Sequence, residues 1–152
     1  MKRIFILTAV CAALLACNNR NATNSNAGLS DSVVKPLYTT EPVEFDTDDP
    51  AIWVNKQDPS KSLVIGTDKD ENGGLYVYDL KGKIIRDKVV KGIKRPNNVD
   101  IAYGFRLGGK TVDIAVVTER MTHKIRIYSL PDMKPLDKGG IEVYQGEANE
   151  MY

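Results

Sequence analysis

Short runs of β-branched and aromatic residues, four to eight long, alternate with clusters of Gly, Pro, Asn and Asp along most of this chain. They predict strands at about Ala51–Val54, Leu63–Thr67, Leu75–Asp79 and Lys83–Val90. A second series is expected at Asn98–Tyr103, Thr111–Thr118, Lys124–Ser129 and Ile141–Tyr144. No apolar pattern of helical period lasts long enough to predict a helix after Glu41, so the fold class read from the pattern is all-β. The first residues read differently. Met1-Lys2-Arg3 is a short basic region, and Ile4 to Ala16 is an apolar run too short for a permanent membrane span, so together they read as an export signal.

The two strand series repeat. Asp48-Asp49-Pro50-Ala51-Ile52 lines up with Asn97-Asn98-Val99-Asp100-Ile101 at an offset of 49 residues. Ser62 to Lys69 lines up with Asp113 to Arg120 at an offset of 51. Gly74 to Leu80 lines up with His123 to Leu130 at an offset near 50. Four strands in about 50 residues match one blade of a β-propeller, whereas sandwich strands do not recur in matched sets. Asn149 to Tyr152 falls one period after Asn97 to Asp100, so the chain is expected to hold two blades and the start of a third, and to look cut off within the fold.

Composition narrows the address and the class. The two cysteines are Cys11, inside the leader, and Cys17. Leu14-Leu15-Ala16-Cys17 looks like a bacterial lipoprotein lipobox, which implies cleavage before Cys17 and lipidation of it. Residues 1–17 would then be the leader, 18–40 a flexible Asn- and Ser-rich tether, and 41–152 the folded domain. The expected location is the cell envelope, on the periplasmic or surface face of an outer membrane, held by the lipid alone. No disulfide is expected in the mature chain. The 21 basic and 20 acidic residues nearly balance, and loss of Lys2 and Arg3 with the leader puts the acids ahead by one, which argues against a nucleic-acid partner.

The chemistry concentrates at the mouths of the first strands. Asp46, Asp48 and Asp49 lie within four residues, and such carboxylates persist together in water, beside cations or around a hard metal ion. The repeat sets Asp48 and Asp49 against Asn97 and Asn98, with Asp100 close by, and sets Lys69 against Arg120. Oxygen ligands suit calcium, and Lys and Arg hold phosphate oxygens. A rim carrying both suits a phosphorylated, metal-complexed substrate attacked by metal-bound water. Asp68-Lys69-Asp70-Glu71-Asn72-Gly73 also fits the start of an EF-hand loop, although its flanks read as strands, which would carry Asp79 away from the cage. His123, the only histidine, falls in a turn with no nucleophile motif beside it and reads as a turn residue. Trp53, Tyr76, Tyr78, Tyr103 and Tyr128 are expected to pack between blades.

Asp48-Asp49-Pro50-Ala51-Ile52-Trp53, Gly74-Leu75-Tyr76-Val77-Tyr78, Asn97-Asn98-Val99-Asp100-Ile101, Gly109 to Ala115, and Arg120 with Ile125-Arg126-Ile127-Tyr128 together resemble the N-terminal third of a β-propeller phytase. The resemblance implies a six-bladed, calcium-dependent enzyme that hydrolyses phosphomonoesters of phytate (myo-inositol hexakisphosphate) and is a monomer at full length. It implies acidic catalytic ligands at Asp48, Asp49 and Asp100, metal ligation by these with Asn98 and the carbonyls of Pro50 and Val99, and phosphate binding by Lys69, Arg120 and Tyr152. Two positions depart from the family pattern. Lys69 is followed by Asp70 where a second lysine is frequent, and Glu119 replaces a neutral residue before the arginine. A chain of two blades would be inactive alone. The alternative reading is a non-catalytic exported propeller that binds a ligand or partner, its acids merely capping strands.

Overall fold

The computed structural model describes residues 34–144. The compact unit begins at Pro36. Cys17, most of the tether, Asn149 and Tyr152 lie outside the described residues.

Eight strands form two four-stranded antiparallel meanders. The first sheet contains β1 (Thr47–Trp53), β2 (Leu63–Asp68), β3 (Gly74–Tyr78) and β4 (Val90–Lys91), in that order. The second contains β5 (Pro96–Leu107), β6 (Lys110–Glu119), β7 (Lys124–Leu130) and β8 (Ile141–Glu142), also in order. Among the described residues the only helical segments are single 3₁₀ turns at Pro59–Lys61, Arg86–Lys88 and Arg120–Thr122. The all-β reading holds.

The sequence repeat is reproduced in backbone detail. β1 is bulged between Thr47 and Pro50, and β5 is bulged between Pro96 and Val99, at the same offset. The Asp49 N–H donates to the Thr67 hydroxyl at 2.9 Å, and the Asn98 N–H donates to the Thr118 hydroxyl at 3.0 Å. The Lys69 N–H reaches the Asp46 carbonyl, and the Arg120 N–H reaches the Arg95 carbonyl. Tyr78 bridges Ile84 in the first sheet as Tyr128 bridges Pro135 in the second. Each pair fixes the same joint in its own unit.

Three sequence expectations are corrected. Lys83–Val90 is not one strand: Ile84 makes a lone bridge, Arg86–Lys88 turns, and ladder pairing resumes only at Val90. Arg86-Asp87-Lys88 is charged and lacks the alternation an edge strand needs, and short interrupted edges also resist pairing with other chains. The last strand is regular only over Ile141–Glu142: the Val143 N–H still reaches the His123 carbonyl in register, but His123 itself belongs to the left-handed end of the Arg120–Thr122 turn, where the partner strand begins. β5, by contrast, runs on to Leu107, past its predicted end at Tyr103, because a second bulge between Ala102 and Phe105 keeps it paired with β6, with Gly104 at φ +69°.

The core sits between the sheets, where β5 packs on β1 and β2. It is built from Trp53, Leu63, Ile65, Leu75, Val77, Ile93, Val99, Ala115, Val117 and Tyr128, with Leu130 and Met133. Burial of each large aliphatic here contributes about 1.5–3 kcal/mol. Polar ties fix the register between sheets. The Trp53 indole N–H donates to Asp113 Oδ2 at 2.9 Å, and the Val54 N–H donates to the Tyr103 hydroxyl at 2.8 Å. Tyr128 is core as expected, but the Tyr103 ring is exposed and carries the Lys56 ammonium 5.0 Å from its centre. At the β3–β4 contact no side chain fits on Gly74, whose Cβ would lie 2.1 Å from the Val90 carbonyl.

Residues Glu41 to Asp46 cross the first sheet from one end to the other. The Glu41 carboxylate accepts from the Ile84 N–H at 2.8 Å, and its own N–H reaches the Gly82 carbonyl. At the opposite end the N–H groups of Phe45 and Asp46 donate to Asp68 Oδ1 at 3.1 and 2.8 Å. This crossing delivers the acidic stretch to the mouth of β1.

Candidate functional site

The mouth is the end where β1 and β5 begin and where β2 and β6 finish. Asp48, Asp49 and Pro50 lie inside β1 at its bulge, not in a turn before it. A proline is tolerated at such a position on an edge strand. The bulge re-aims successive side chains, so adjacent aspartates do different work.

Asp48 turns to a cation within its own sheet. Lys69 Nζ lies 2.7 Å from Asp48 Oδ1 and 3.8 Å from Asp46 Oδ2. Asp49 turns to the other sheet. Its Oδ2 accepts from the Val99 N–H at 2.9 Å, and the Thr67 hydroxyl beside it lies 3.3 Å from the Asp49 carbonyl and 3.5 Å from that of Asn97. Asp49, Val99 and Asn97 thus meet at one seam, leaving Asp49 Oδ1 outside the described hydrogen bonds.

Asp100 is placed elsewhere. Val99 and Ile101 pack on the core, so the pleat puts Asp100 and Asn98 on the opposite face of β5. Asp100 Oδ1 accepts from the Ile101 N–H at 2.7 Å, and Asn98 Oδ1 accepts from Asn97 Nδ2 at 2.7 Å. Among the described residues, no three side chains of His, Cys, Asp or Glu converge as a metal centre would require. The predicted ligands are thus joined in part: Asp49 to Val99, and Asp48 to Lys69, with Asp100 on another face.

Lys69 and Arg120 are structural equivalents, but their surroundings differ. The position matching Asp48 is Asn97, which is neutral, so among the described residues no carboxylate pairs with Arg120. The arginine opens the turn Arg120–Thr122 and lines a cleft of about 450 Å³ with Asn97, Thr118, His123 and Lys124. His123 closes that turn in the left-handed conformation (φ 53°), and its ring meets Tyr144 edge-on at 5.3 Å. It is a turn residue, as read from the sequence, on the wall of the cleft.

Behind the cations stand two buried acids whose role sequence reasoning missed. Asp68 is 0% exposed and Glu119 5% exposed. Asp68 fixes the backbone of Phe45 and Asp46, as Glu119 fixes the Lys94 N–H at 3.0 Å. Asp68 Oδ2 has no donor among the described residues. Glu119 also takes the Arg126 guanidinium at 3.1 Å, and Arg126 in turn holds Asp137 at 2.8 Å. Burial alone would raise the Asp137 carboxyl, but Arg126 and the N–H groups of Ile127 and Gly139 together hold it below the usual carboxylate range. The signal was readable: an acid precedes the cation in both repeats. The EF-hand reading fails here, because β3 carries Asp79 to the far end of the sheet, where it caps Lys81 and Lys83.

Comparison with known proteins decides the lineage. The family model described as Phytase matches residues 3–142. The chain belongs to the phytase family. Over 97 residues this family member is 40% identical to the 3-phytase of Bacillus subtilis (strain 168), a match that covers 62% of the chain. The chain spans 23% of the length of that relative.

Proposed function

We propose that the protein is an exported phytase that releases phosphate from phytate or related inositol phosphates. The observation that carries this reading is the seam at which Asp49 of one repeat locks onto Val99 of the next, with Lys69 and Arg120 at equivalent places on the same rim. Family membership supports the same reaction class. The two matched sheets support a β-propeller, for which six units are the family expectation.

Calcium fits this rim in donor chemistry. Asp48, Asp49, Asn98, Asp100 and the carbonyls of Pro50 and Val99 are all hard oxygen donors. Among the described residues they do not converge into a three-carboxylate set, and Asp100 stands on another face of β5 from Asp49's partner Val99. Calcium, when bound, supplies positive charge beside the phosphoryl oxygens. The chain's own part is recognition and placement. Arg120, without a carboxylate partner, offers a planar fork to a phosphate. Lys69 exchanges its contact with Asp48 for a substrate oxygen; Tyr152, read from the sequence as a phosphate contact, lies outside the described residues. Asp49 keeps the seam in register through Val99. Lipidation at Cys17 would hold the enzyme at the cell envelope.

The test is phosphate release from phytate by the full-length protein carrying this sequence. Release should require calcium, stop with chelator and be lost in Asp49→Ala. No release at any calcium concentration, with phytate binding retained, would favour the non-catalytic binding module.

A further inference from the structure

β5 and β6 continue beyond their sheet as a two-stranded ribbon. The residue equivalent to Trp53, where β1 ends, is Ala102, yet β5 runs on to Leu107. At about 3.4 Å per residue the ribbon projects roughly 10 to 15 Å. Gly108 and Gly109, at φ +56° and +78°, form the two-residue turn that closes it. Its root is braced: Asp113 accepts from the Trp53 indole and from the Gly104 N–H, and Tyr103 accepts from Val54. Its tip carries exposed Phe105 (41%) and Leu107 (42%) together with Arg106 and Lys110.

Residues 101–112 contain no Asp or Glu. Lys56, over the Tyr103 ring, adds a third positive charge at the root, while Asp58 on the neighbouring loop is paired with Lys61 at 3.1 Å. The ribbon points away from the rim that carries Asp48, Asp49, Lys69 and Arg120. Glu41 lies at the ribbon's end of the first sheet, against Gly82 and Ile84, so the chain enters the domain from that end. The Cys17 expected to carry lipid is 24 residues before it.

We propose that the β5–β6 ribbon tip docks on an anionic phospholipid surface, with Arg106 and Lys110 on headgroups and Phe105 and Leu107 in the interface, so that the rim faces away from the membrane. Charge complementarity selects this occupant: a braced, purely cationic tip with apolar side chains suits a negative, amphipathic surface. The entry of the tether at the same end allows lipid and ribbon to engage one bilayer together.

The test uses the protein made from Asn18 onward, which lacks leader and lipid but keeps every described residue. It should sediment with phosphatidylglycerol-containing vesicles and not with phosphatidylcholine alone, and less at high salt. Arg106→Gln with Lys110→Gln should weaken sedimentation roughly 10- to 30-fold. Phe105→Ser with Leu107→Ser should weaken it at least several-fold. Unchanged emission from Trp53, the single tryptophan, confirms that the braced root is intact in each variant, and the single exposed change Arg106→Glu serves if a double variant loses it. Equal sedimentation with both vesicle types, or variants that bind as the parent does, would overturn the proposal.

Discussion

Asp49 serves two ends through one carboxylate, since its Oδ2 is committed to the Val99 N–H while Oδ1 makes no described hydrogen bond. Asp49→Ala should therefore abolish phosphate release and also cost about 1–3 kcal/mol of stability, because the Val99 donor loses its partner. Asp49→Asn separates the effects: its amide oxygen still accepts from Val99, so denaturation should change little while activity falls. Arg120 is the complementary case. With neutral Asn97 where the first repeat has Asp48, its guanidinium pairs with no described carboxylate. Arg120→Ala should raise KM for phytate roughly tenfold or more, the scale of a lost charge-assisted phosphate contact. Arg120→Lys should recover only part of that, since a point charge cannot form the bidentate fork. Equal KM in both variants would remove Arg120 from the substrate site.

At the scale of elements, the buried chain Glu119–Arg126–Asp137 ties the end of β6 to β7 and to the loop that follows it. Glu119 directly precedes Arg120 and holds the Lys94 N–H, so this network sets where the rim arginine stands. Arg126→Ala strands two buried carboxylates and should destabilise the fold by about 3–5 kcal/mol in urea titration. The network also predicts an acid response. The Asp137 carboxyl is held below its ordinary value of 3.8, so the unfolded chain takes up its proton first as pH falls. Its stabilisation is complete above the ordinary value and is lost as pH drops through the folded one. The urea midpoint should decline below about pH 4, and Asp137→Asn, already less stable at neutral pH, should show a flatter decline. The corrected fourth strand belongs to this scale as well. A charged triplet at Arg86–Lys88 solvates better in a turn than in a ladder, so β4 shrinks to Val90–Lys91.

For the whole molecule, the packing of β5 on β1 and β2 does more than bury surface, since the seam at Asp49 exists only where the sheets meet. Ile65, fully buried at that interface, tests the dependence: Ile65→Ala should cost about 2–5 kcal/mol and lower activity with it. A polypeptide ending at Tyr152 is expected to release no phosphate from phytate, because its described acids do not converge around a metal. Robust turnover by that polypeptide would refute this expectation.

The sequence by itself determined the strand class, the repeat near 50 residues and the pairing of Lys69 with Arg120, because side-chain alternation and turn residues act over a few neighbours. It also displayed the acids that crowd the first mouth. Only the tertiary structure decided which acids meet. Asp48, Asp49 and Asp100 look interchangeable in a string of letters, but a bulge and the pleat send them to Lys69, to the second sheet and to the far face of β5. The buried work of Asp68 and Glu119, and the projection of the β5–β6 ribbon, were likewise set by contacts between residues distant in the chain. Direction in space depends on strand register and packing, and these are properties of the assembled sheets.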